Sequence, residues 1–397
     1  MAVKKLAQRL SSVSAVGVEW ARSLSREFPD ILRMETAELN VLPPAAVWDA
    51  AAEALRRKLS HYSDFEGLPE LRQAVASHLL RRTGVEYDPH DEVVVTAGAS
   101  EANFLALMAL LDPGDEALLP DPSYPNLEKT IRLLGGIPVR IPYREGEGWR
   151  LDLAAFSQAL SPRCKMVVVV SPNNPTGTVL NFRELQNILD ACRAEGLFLL
   201  FDAAFDGLVY NGAMPLIAQE LQMTLLELRD QVLWTGGLAK TYALPSLRIG
   251  WLAGPEHVMR AVRTVLHPCL SVMANLPGQY AAAAALAAWT EWLTPVVVEL
   301  RRRRDYLVAE LNTIEGITCR VPEGGFFVFP NHERLEPDSY RFSEYLIRSA
   351  GISVSPGADY GTRGEGHVRM VFGALDTGQL EEAVHRLRSA ARVYALG

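Results

Sequence analysis

The chain alternates short, continuously apolar segments with longer amphipathic ones. The apolar segments include VVVT, MVVVV and LFLLF, and each has the length of a strand. The segments between them repeat apolar residues at helical spacing, as in FRELQNILDACRAE, which is followed by a glycine. Apolar strands separated by amphipathic helices are typical of a mostly parallel sheet that is buried on both faces. The sequence therefore predicts an α/β domain with three layers.

A second region follows this domain. Near residue 290 the alternation gives way to a long helical pattern, and then to short strands and helices mixed together. A chain of 397 residues is also too long for one small core. We predict a large domain over residues 46–290 and a smaller α+β domain over residues 291–397. The N-terminal arm, residues 1–45, is expected to contribute to the smaller domain.

Charge and hydropathy narrow the class of protein. The net charge is −8, and the longest basic run is Arg301–Arg304. That run lies in a helical pattern where we expect a solvated face, so no nucleic-acid partner is expected. Apolar runs such as MVVVV and AAAAALAAW are too short for a membrane span, so no membrane partner is expected.

The cysteine and histidine patterns give a further constraint. The four cysteines are far apart and have no C-x-x-C spacing. This pattern favours neither a disulfide scaffold nor a zinc site, and it fits a reducing compartment, so we expect a cytoplasmic protein. No pair among the eight histidines has metal-ligand spacing, and no metal is expected.

Polar residues follow several of the predicted strands. In chain order these are Ala97–Glu101, Ser171–Gly177 and Asp202. The first set begins a helix with small residues and a hydroxyl, which suits either a phosphate or an ordinary N-cap. The second, SPNNPTG, is either a plain turn or a stiff turn that presents its amides to a ligand. The acid either makes a structural hydrogen bond or faces a ligand cation.

One lysine lies in an apolar, glycine-rich loop, WTGGLAKTYALPSLRIGW. It is Lys240, one of only six lysines in the chain, and Arg248 follows it. Lysine is usually exposed, so a surface turn is one interpretation. The other is a reagent, because a desolvated lysine loses its proton more readily and a neutral amine condenses with a carbonyl.

In open α/β sheets, ligands bind beyond the carboxyl ends of the strands. If these residues share that rim of the sheet, they can bind a single ligand. The rim would combine a phosphate cradle, an acid, an amide, a lysine and a second cation. Pyridoxal 5'-phosphate (PLP) matches that set, because its aldehyde needs a lysine, its pyridinium an acid, and its phosphate N–H groups and an arginine.

The same motifs, in the same order, resemble the class I/II aminotransferases, which are PLP enzymes of fold type I. The resemblance covers roughly residues 30 to 390 and lies in the segments YSDFEGLPELRQAV, SPNNPTG, FDAAF, AKTYALPSLRIGW and VPEGGFFVF. It implies the three-layer large domain with a smaller α+β domain. It also implies an enzyme that transfers the α-amino group of an L-amino acid to a 2-oxo acid.

The resemblance further implies a role for each matching residue. Lys240 would carry PLP as a Schiff base and move the Cα proton, and Arg369 would pair with the substrate α-carboxylate. Asn174 and Glu38 are further candidates for substrate contact. Tyr62 would reach the phosphate of a neighbouring subunit, so a homodimer is expected. The remaining cofactor contacts are assigned to Ala99, Ser100, Tyr124, Asn174, Asp202, Phe205 and Arg248.

Two departures from the family pattern leave the reaction type open. Phe205 stands where the family has a tyrosine that donates to the ring oxygen, and Gly237–Ala239 replaces Ser-x-Ser before the lysine. Thr235 or Ser246 are candidates to replace the lost hydroxyl. Transamination is the first interpretation. A PLP-dependent lyase, cyclase or oxidase, or a PLP-binding protein without turnover, are the alternatives.

Substrate specificity is less constrained. The segment METAELNVLPP replaces the Gly-Glu-Pro-Asp type of sequence near the substrate. Glu35 and Glu38 either face a basic substrate or are solvated. Asp206 has the same two interpretations, a substrate contact or a surface position, and the sequence does not name the amino acid.

Overall fold

A computed structural model describes residues 6–14, 17–59, 61–210 and 219–394 of the chain. The strands are β1 Leu32–Arg33, β2 Val93–Thr96, β3 Glu116–Asp121, β4 Ile137–Arg144, β5 Arg150–Leu151, β6 Cys164–Val170, β7 Phe198–Asp202, β8 Val232–Gly237, β9 Gly250–Ala253, β10 Phe327–Val328, β11 Ile352–Ser353, β12 Ser355–Pro356 and β13 Val368–Val371. The helices are α1 Gly17–Ser25, α2 Ala45–Arg56, α3 Pro69–Thr83, α4 Ala99–Leu110, α5 Pro125–Leu133, α6 Leu153–Ala159, α7 Phe182–Glu195, α8 Gln219–Glu227, α9 Leu238–Thr241, α10 Glu256–Ala261, α11 His267–Leu270, α12 Leu276–Ala287, α13 Trp289–Leu311, α14 Ser339–Tyr345 and α15 Thr377–Tyr394.

The central sheet has eight strands in the order β2-β9-β8-β7-β6-β3-β4-β5. The strands β8, β7, β6, β3 and β4 are parallel to one another. Only β9 and β5 oppose their neighbours. The predicted mostly parallel α/β sheet is confirmed. Its crossover connections carry helices, as parallel neighbours require.

Alternation along the strands explains the three layers. In β6, Val167 and Val169 belong to one apolar core, whereas Met166, Val168 and Val170 belong to another. Successive strand residues point to opposite faces, so these two cores lie on the two sides of the sheet. Helices cover both, which accounts for strands that are apolar at every position.

Helix signals lie where the sequence places them. The helix α7 begins with a capping box, in which Asn181 Oδ1 accepts from the backbone N–H of Glu184 and the Glu184 carboxylate accepts from that of Asn181. It ends at Gly196, whose φ of 64° is the left-handed conformation that glycine adopts easily. These local signals fix the length of the crossover between β6 and β7.

The C-terminal region forms smaller sheets. The strands β10, β13 and β12 pair antiparallel, and β1 pairs in parallel with β11. An N-terminal segment therefore hydrogen-bonds to a C-terminal one. Division of the chain at residues 45 and 290 remains our proposal.

The helices α12 and α13 follow each other across a bend of 78°. No single helix among the described residues is long and apolar enough to cross a membrane, and this bent pair meets the length and composition requirement only when taken together. The helix α13 continues through Pro295.

The expected solvated face at Arg301–Arg304 is wrong for half of the run. Arg303 and Arg304 are buried. Arg303 donates to the carbonyl of Leu375 at 2.7 Å, and Arg304 donates to that of Pro322 at 2.9 Å. Buried carbonyls from distant loops need donors, and the long guanidinium side chains supply them.

The close contact between β9 and the start of α4 can be tested by a substitution in β9. At Gly250, a Cβ would lie 2.4 Å from the carbonyl carbon of Gly98 and 2.5 Å from the nitrogen of Ala99. Because both atoms belong to the backbone, Gly250→Ala should displace the start of α4. We expect a loss of about 1–3 kcal/mol of stability, measured as a lower thermal unfolding midpoint. Gly146→Ala is the control, since nothing lies within 4 Å of its Cβ position. Equal midpoints for the two variants would contradict this packing.

Candidate active site

A cavity of about 360 Å³ lies beyond the carboxyl ends of the parallel strands. It is bounded by the starts of α4 and α5, by α9, and by residues of the C-terminal region. The structure brings most of the predicted site residues together there. Those that line it are Ala99, Ser100, Tyr124, Asn174, Asp202, Phe205, Lys240, Arg248 and Arg369.

Asp202 is the last residue of β7, and its side chain is buried. Its Oδ2 accepts from Asn103 Nδ2 at 2.7 Å, and its Oδ1 accepts from the backbone N–H of Ala204 at 2.9 Å. Burial raises the pKa of the Asp202 carboxyl, and these two hydrogen bonds only oppose the rise. No basic side chain in the described part of the chain forms an ion pair with it, so the carboxylate is available to a cationic ligand.

Asn103 is a site residue that the sequence interpretation missed. Its Oδ1 accepts from the Thr235 hydroxyl at 2.7 Å, which leaves its NH₂ group to donate to Asp202. Thr235 was a candidate to replace the missing hydroxyl at the phosphate. It is buried, and its hydroxyl donates to Asn103 instead. The available signal was a single amide in the apolar helix α4, one turn after Ala99 and so on the same face.

Lys240 lies in the four-residue helix α9, directly after β8. Its Nζ donates to the carbonyl of Ala37 at 2.6 Å. Burial lowers the pKa of Lys240 to about 8, the positive charges of Arg369 and Arg248 act in the same direction, and Glu38 opposes them. A substantial fraction of the amine is therefore neutral near physiological pH, as a nucleophile or a base requires.

The lysine is held in place through its neighbour. The Thr241 hydroxyl donates to the carbonyl of Asp206 at 2.9 Å. The indole N–H of Trp292 donates to the carbonyl of Thr241, also at 2.9 Å. A helix of one turn has little stability of its own, so these tertiary contacts fix the direction of Lys240.

The start of α4 and Arg248 form an anion cradle. Gly98 has φ of 90°, and a Cβ there would lie 2.5 Å from Arg248 Nη2. Among the described residues, the guanidinium donates only to carbonyls, those of Ala97 at 3.4 Å and Pro245 at 3.2 Å. With the positive end of the α4 dipole and the Ser100 hydroxyl, it can hold a phosphate.

Tyr124 covers this part of the cavity. Its hydroxyl accepts from Asn126 Nδ2 at 2.9 Å and contacts Ser100. Burial raises the pKa of the Tyr124 hydroxyl, so it remains a phenol. The ring is thereby fixed as a flat wall.

Arg369 is buried without a carboxylate partner in the described residues. Its Nη1 donates to Asn174 Oδ1 at 3.0 Å, and its Nη2 donates to the carbonyl of Glu35 at 2.5 Å. Its Nε has no hydrogen-bond partner in the part of the chain that the structure describes. The guanidinium lies against the rings of Tyr360, at 5.3 Å, and Phe327, at 5.8 Å. A buried guanidinium that meets only neutral groups is suited to bind an anion.

Phe205 is buried and packs against two aromatic rings from the C-terminal region. Ring centroids lie 5.5 Å from Phe326 and 5.1 Å from Phe327. The side chain lines the cavity but offers no hydrogen-bond donor. Gly237 and Ala239 also line it and carry no hydroxyl.

Some of the residues predicted to belong to the site do not line the cavity. Tyr62 is 77% exposed, and neither it nor Glu38 belongs to the lining. Glu38 is exposed at the surface. The structure therefore does not place its side chain in contact with a substrate inside the cavity. Ser246 is exposed and also lies outside the lining.

The surface interpretation of Glu35 and Asp206 is wrong, because both side chains are buried, and neither residue lies in the cavity lining. Glu35 accepts from Arg33 at 3.2 Å. Asp206 pairs with Arg82 at 2.7 Å and with His78 at 3.1 Å. Burial raises the pKa of Asp206, but these two partners outweigh it and lower the value to about 2.

The amine of Lys240 allows a direct test of the site. In cofactor-free protein, we expect its reaction with trinitrobenzenesulfonate to accelerate with a midpoint near pH 8, because only the neutral amine reacts and its pKa is about 8. Mass spectrometry of peptides would follow the label at this residue as pH changes. Lys240→Arg should lose this phase. A rate that instead follows the ordinary value of 10.5 would contradict the desolvated environment.

Comparisons with known proteins agree with this geometry. The family model described as Aminotransferase class I and II matches residues 29–387. The chain is 32% identical over 376 residues to a probable aspartate/prephenate aminotransferase of Aquifex aeolicus, over 93% of each chain. It is 30% identical over 392 residues to aromatic-amino-acid aminotransferase 2 of Thermococcus litoralis, over 98% of each chain.

Solved structures give the same result. The alanine aminotransferase of Pyrococcus furiosus has a TM-score of 0.90 and 30% identity, over 98% of this chain and 100% of that one. The aspartate aminotransferase of Thermus thermophilus with maleate has a TM-score of 0.89 and 28% identity, over 98% and 100%. The chain therefore belongs to the class I and II aminotransferase family, and it is an aminotransferase of fold type I.

Proposed function

We propose that this aminotransferase uses PLP held on Lys240 to move the α-amino group of an L-amino acid to a 2-oxo acid. The observation that carries the proposal is a set of buried charges around one cavity. Asp202 and Arg369 are buried and Lys240 is half-buried, and each meets only neutral partners among the described residues. A ligand with a cationic ring, a carbonyl and an anion satisfies all of them.

The residues fit the cofactor at each of its polar groups. Asp202 would hold the ring nitrogen, and the carboxylate would keep it protonated. Asn174 accepts from Arg369 with its Oδ1, so its NH₂ group remains to donate to the ring oxygen. Tyr124 would stack on the ring, with Phe205 beside it. The phosphate would lie against Ala99, Ser100 and Arg248.

The catalytic work of the chain itself is proton transfer and orientation. When bound, PLP accepts the electron pair released at the substrate Cα. Lys240, neutral in part at physiological pH, would take the Cα proton and deliver it to the cofactor carbon that carried the aldehyde. Arg369 would hold the α-carboxylate through a planar pair of hydrogen bonds, which fixes the direction of the Cα–H bond.

We also propose a homodimer in which Tyr62 reaches the phosphate of the other protomer. In support, Tyr62 lies beside Phe65 in an exposed loop, with ring centroids 6.1 Å apart. This loop contacts Met273 through the backbone N–H of Ser63 at 3.4 Å. Leu270, 48% exposed, precedes that contact. Exposed apolar groups clustered in this way are typical of an interface. The cytoplasmic location expected from the cysteine pattern remains a prediction.

The assignment of Lys240 can be tested with Lys240→Ala and, as matched control, Lys165→Ala at an exposed position. In wild-type protein with PLP, an amino acid alone should convert the cofactor to its amine form. Borohydride reduction before that addition should fix the cofactor's mass on the peptide of Lys240. Lys240→Ala should lose the covalent label and at least about 10²-fold in the rate of conversion. The control should retain both, and a label that persists in Lys240→Ala would overturn the assignment.

Phe205 gives a second test, of the cofactor's electronic environment. A tyrosine there would donate to the ring oxygen and stabilise its negative charge, so the oxygen would attract the proton of the lysine–cofactor linkage less strongly. Phe205→Tyr should therefore lower the pH midpoint of the bound cofactor's absorbance change by about one unit. Phe205→Leu, which adds no donor, should leave it nearly unchanged. A rise in the midpoint of Phe205→Tyr would count against the place assigned to this residue.

A further inference from the structure

An acidic side chain from the N-terminal helix lines the candidate active-site cavity. It is Glu19, in the first turn of α1, and Val18 lines the cavity beside it. Glu19 is exposed and has no ion pair among the described residues. Its carboxylate is therefore hydrated and available at the mouth of the cavity.

The helix α1 is fixed to the C-terminal region. The backbone N–H of Gly17 donates to the Asp359 carboxylate, which also accepts from the Tyr340 hydroxyl at 2.6 Å. Trp20 packs edge-on against Tyr340 at 5.0 Å between ring centroids. Tyr360, the residue after Asp359, lies against Arg369. These contacts hold Glu19 at a defined position relative to the proposed α-carboxylate site.

The described lining of the cavity contains three basic and two acidic side chains. The basic residues of the described lining are Lys240, Arg248 and Arg369, and the proposed function uses each of them. The acidic residues are Glu19 and Asp202. The proposed function pairs Asp202 with the ring nitrogen. In the described lining, Glu19 is therefore the one charged group that the proposed function leaves available to the side chain of an amino acid held by Arg369, and it is negative.

The geometry points to Glu19 as a specificity residue that selects amino acids whose side chain ends in an ammonium or guanidinium group. This inference rests on the proposed function, because it takes Arg369 as the α-carboxylate site. A cationic end group would pair with Glu19 in a partly enclosed cavity. A second carboxylate, as in aspartate, would meet Glu19 and find no free cation in the described lining. Thr36 and Asn126 supply neutral polar contacts nearby.

The kinetic test compares substrates that differ in charge but hardly in shape. For arginine against citrulline, and for lysine against norleucine, kcat/KM should favour the cationic member by about tenfold. Glu19→Gln should remove most of that preference and change the neutral member by less than about twofold. Glu70→Gln is the control, since Glu70 is also an exposed first-turn glutamate but lies outside the lining.

A binding measurement provides a readout without turnover. We expect 6-aminohexanoate to bind the PLP-loaded protein more tightly than hexanoate by calorimetry, and the difference to shrink in Glu19→Gln and in high salt. The control variant should preserve the difference. Equal binding of the two acids, or an unchanged difference in Glu19→Gln, would overturn the inference.

Failure of this inference is distinguishable from failure of the proposed function. If no amino acid converts the cofactor to its amine form, the proposed function fails. If conversion occurs but neutral or acidic amino acids react as well as cationic ones, or if Glu19→Gln affects all substrates alike, only the role of Glu19 is wrong.

Discussion

The site depends on charged side chains that neutral hydrogen-bond partners stabilise and that no opposite charge among the described residues neutralises. Asp202 receives hydrogen bonds from an amide side chain and a backbone N–H, Lys240 donates to a carbonyl, and Arg369 donates to an amide oxygen and a carbonyl. Neutral dipoles lower the cost of burying each charge but leave its field in place. An oppositely charged partner at any of these positions would occupy the site that a ligand needs.

Sheet register brings these groups to one edge. In the parallel pairing of β6, β7 and β8, Val170 lies opposite Asp202, and Asp202 lies opposite Thr235. The turn that carries Asn174 and the helix that carries Lys240 therefore leave the two strands on either side of β7, at nearly the same level. Sequence reasoning anticipated this edge, because polar residues after continuously apolar strands have no other common location in a parallel sheet.

What sequence reasoning missed depends on contacts between distant segments. Asn103 was missed because its role comes from Thr235, which lies on a strand more than a hundred residues later. The burial of Arg303 depends on the carbonyl of Leu375. Neither partner leaves a local pattern, whereas strand and helix periodicity are local properties. For the same reason the strands and the long helices were predicted closely, but the charge state of individual side chains was not.

The contrast between Asp202 and Asp206 shows how far electrostatics departs from sequence position. Both are buried acids, one at the last residue of β7 and the other four residues later. Asp206 is paired with Arg82 and His78 from α3, which lowers its pKa. Asp202 has only neutral partners among the described residues, and burial raises its pKa. The paired acid stabilises the junction with α3 and is closed to ligands. The other carboxylate gains full stabilisation only when a cation approaches, so it is the one that can respond to what enters the cavity.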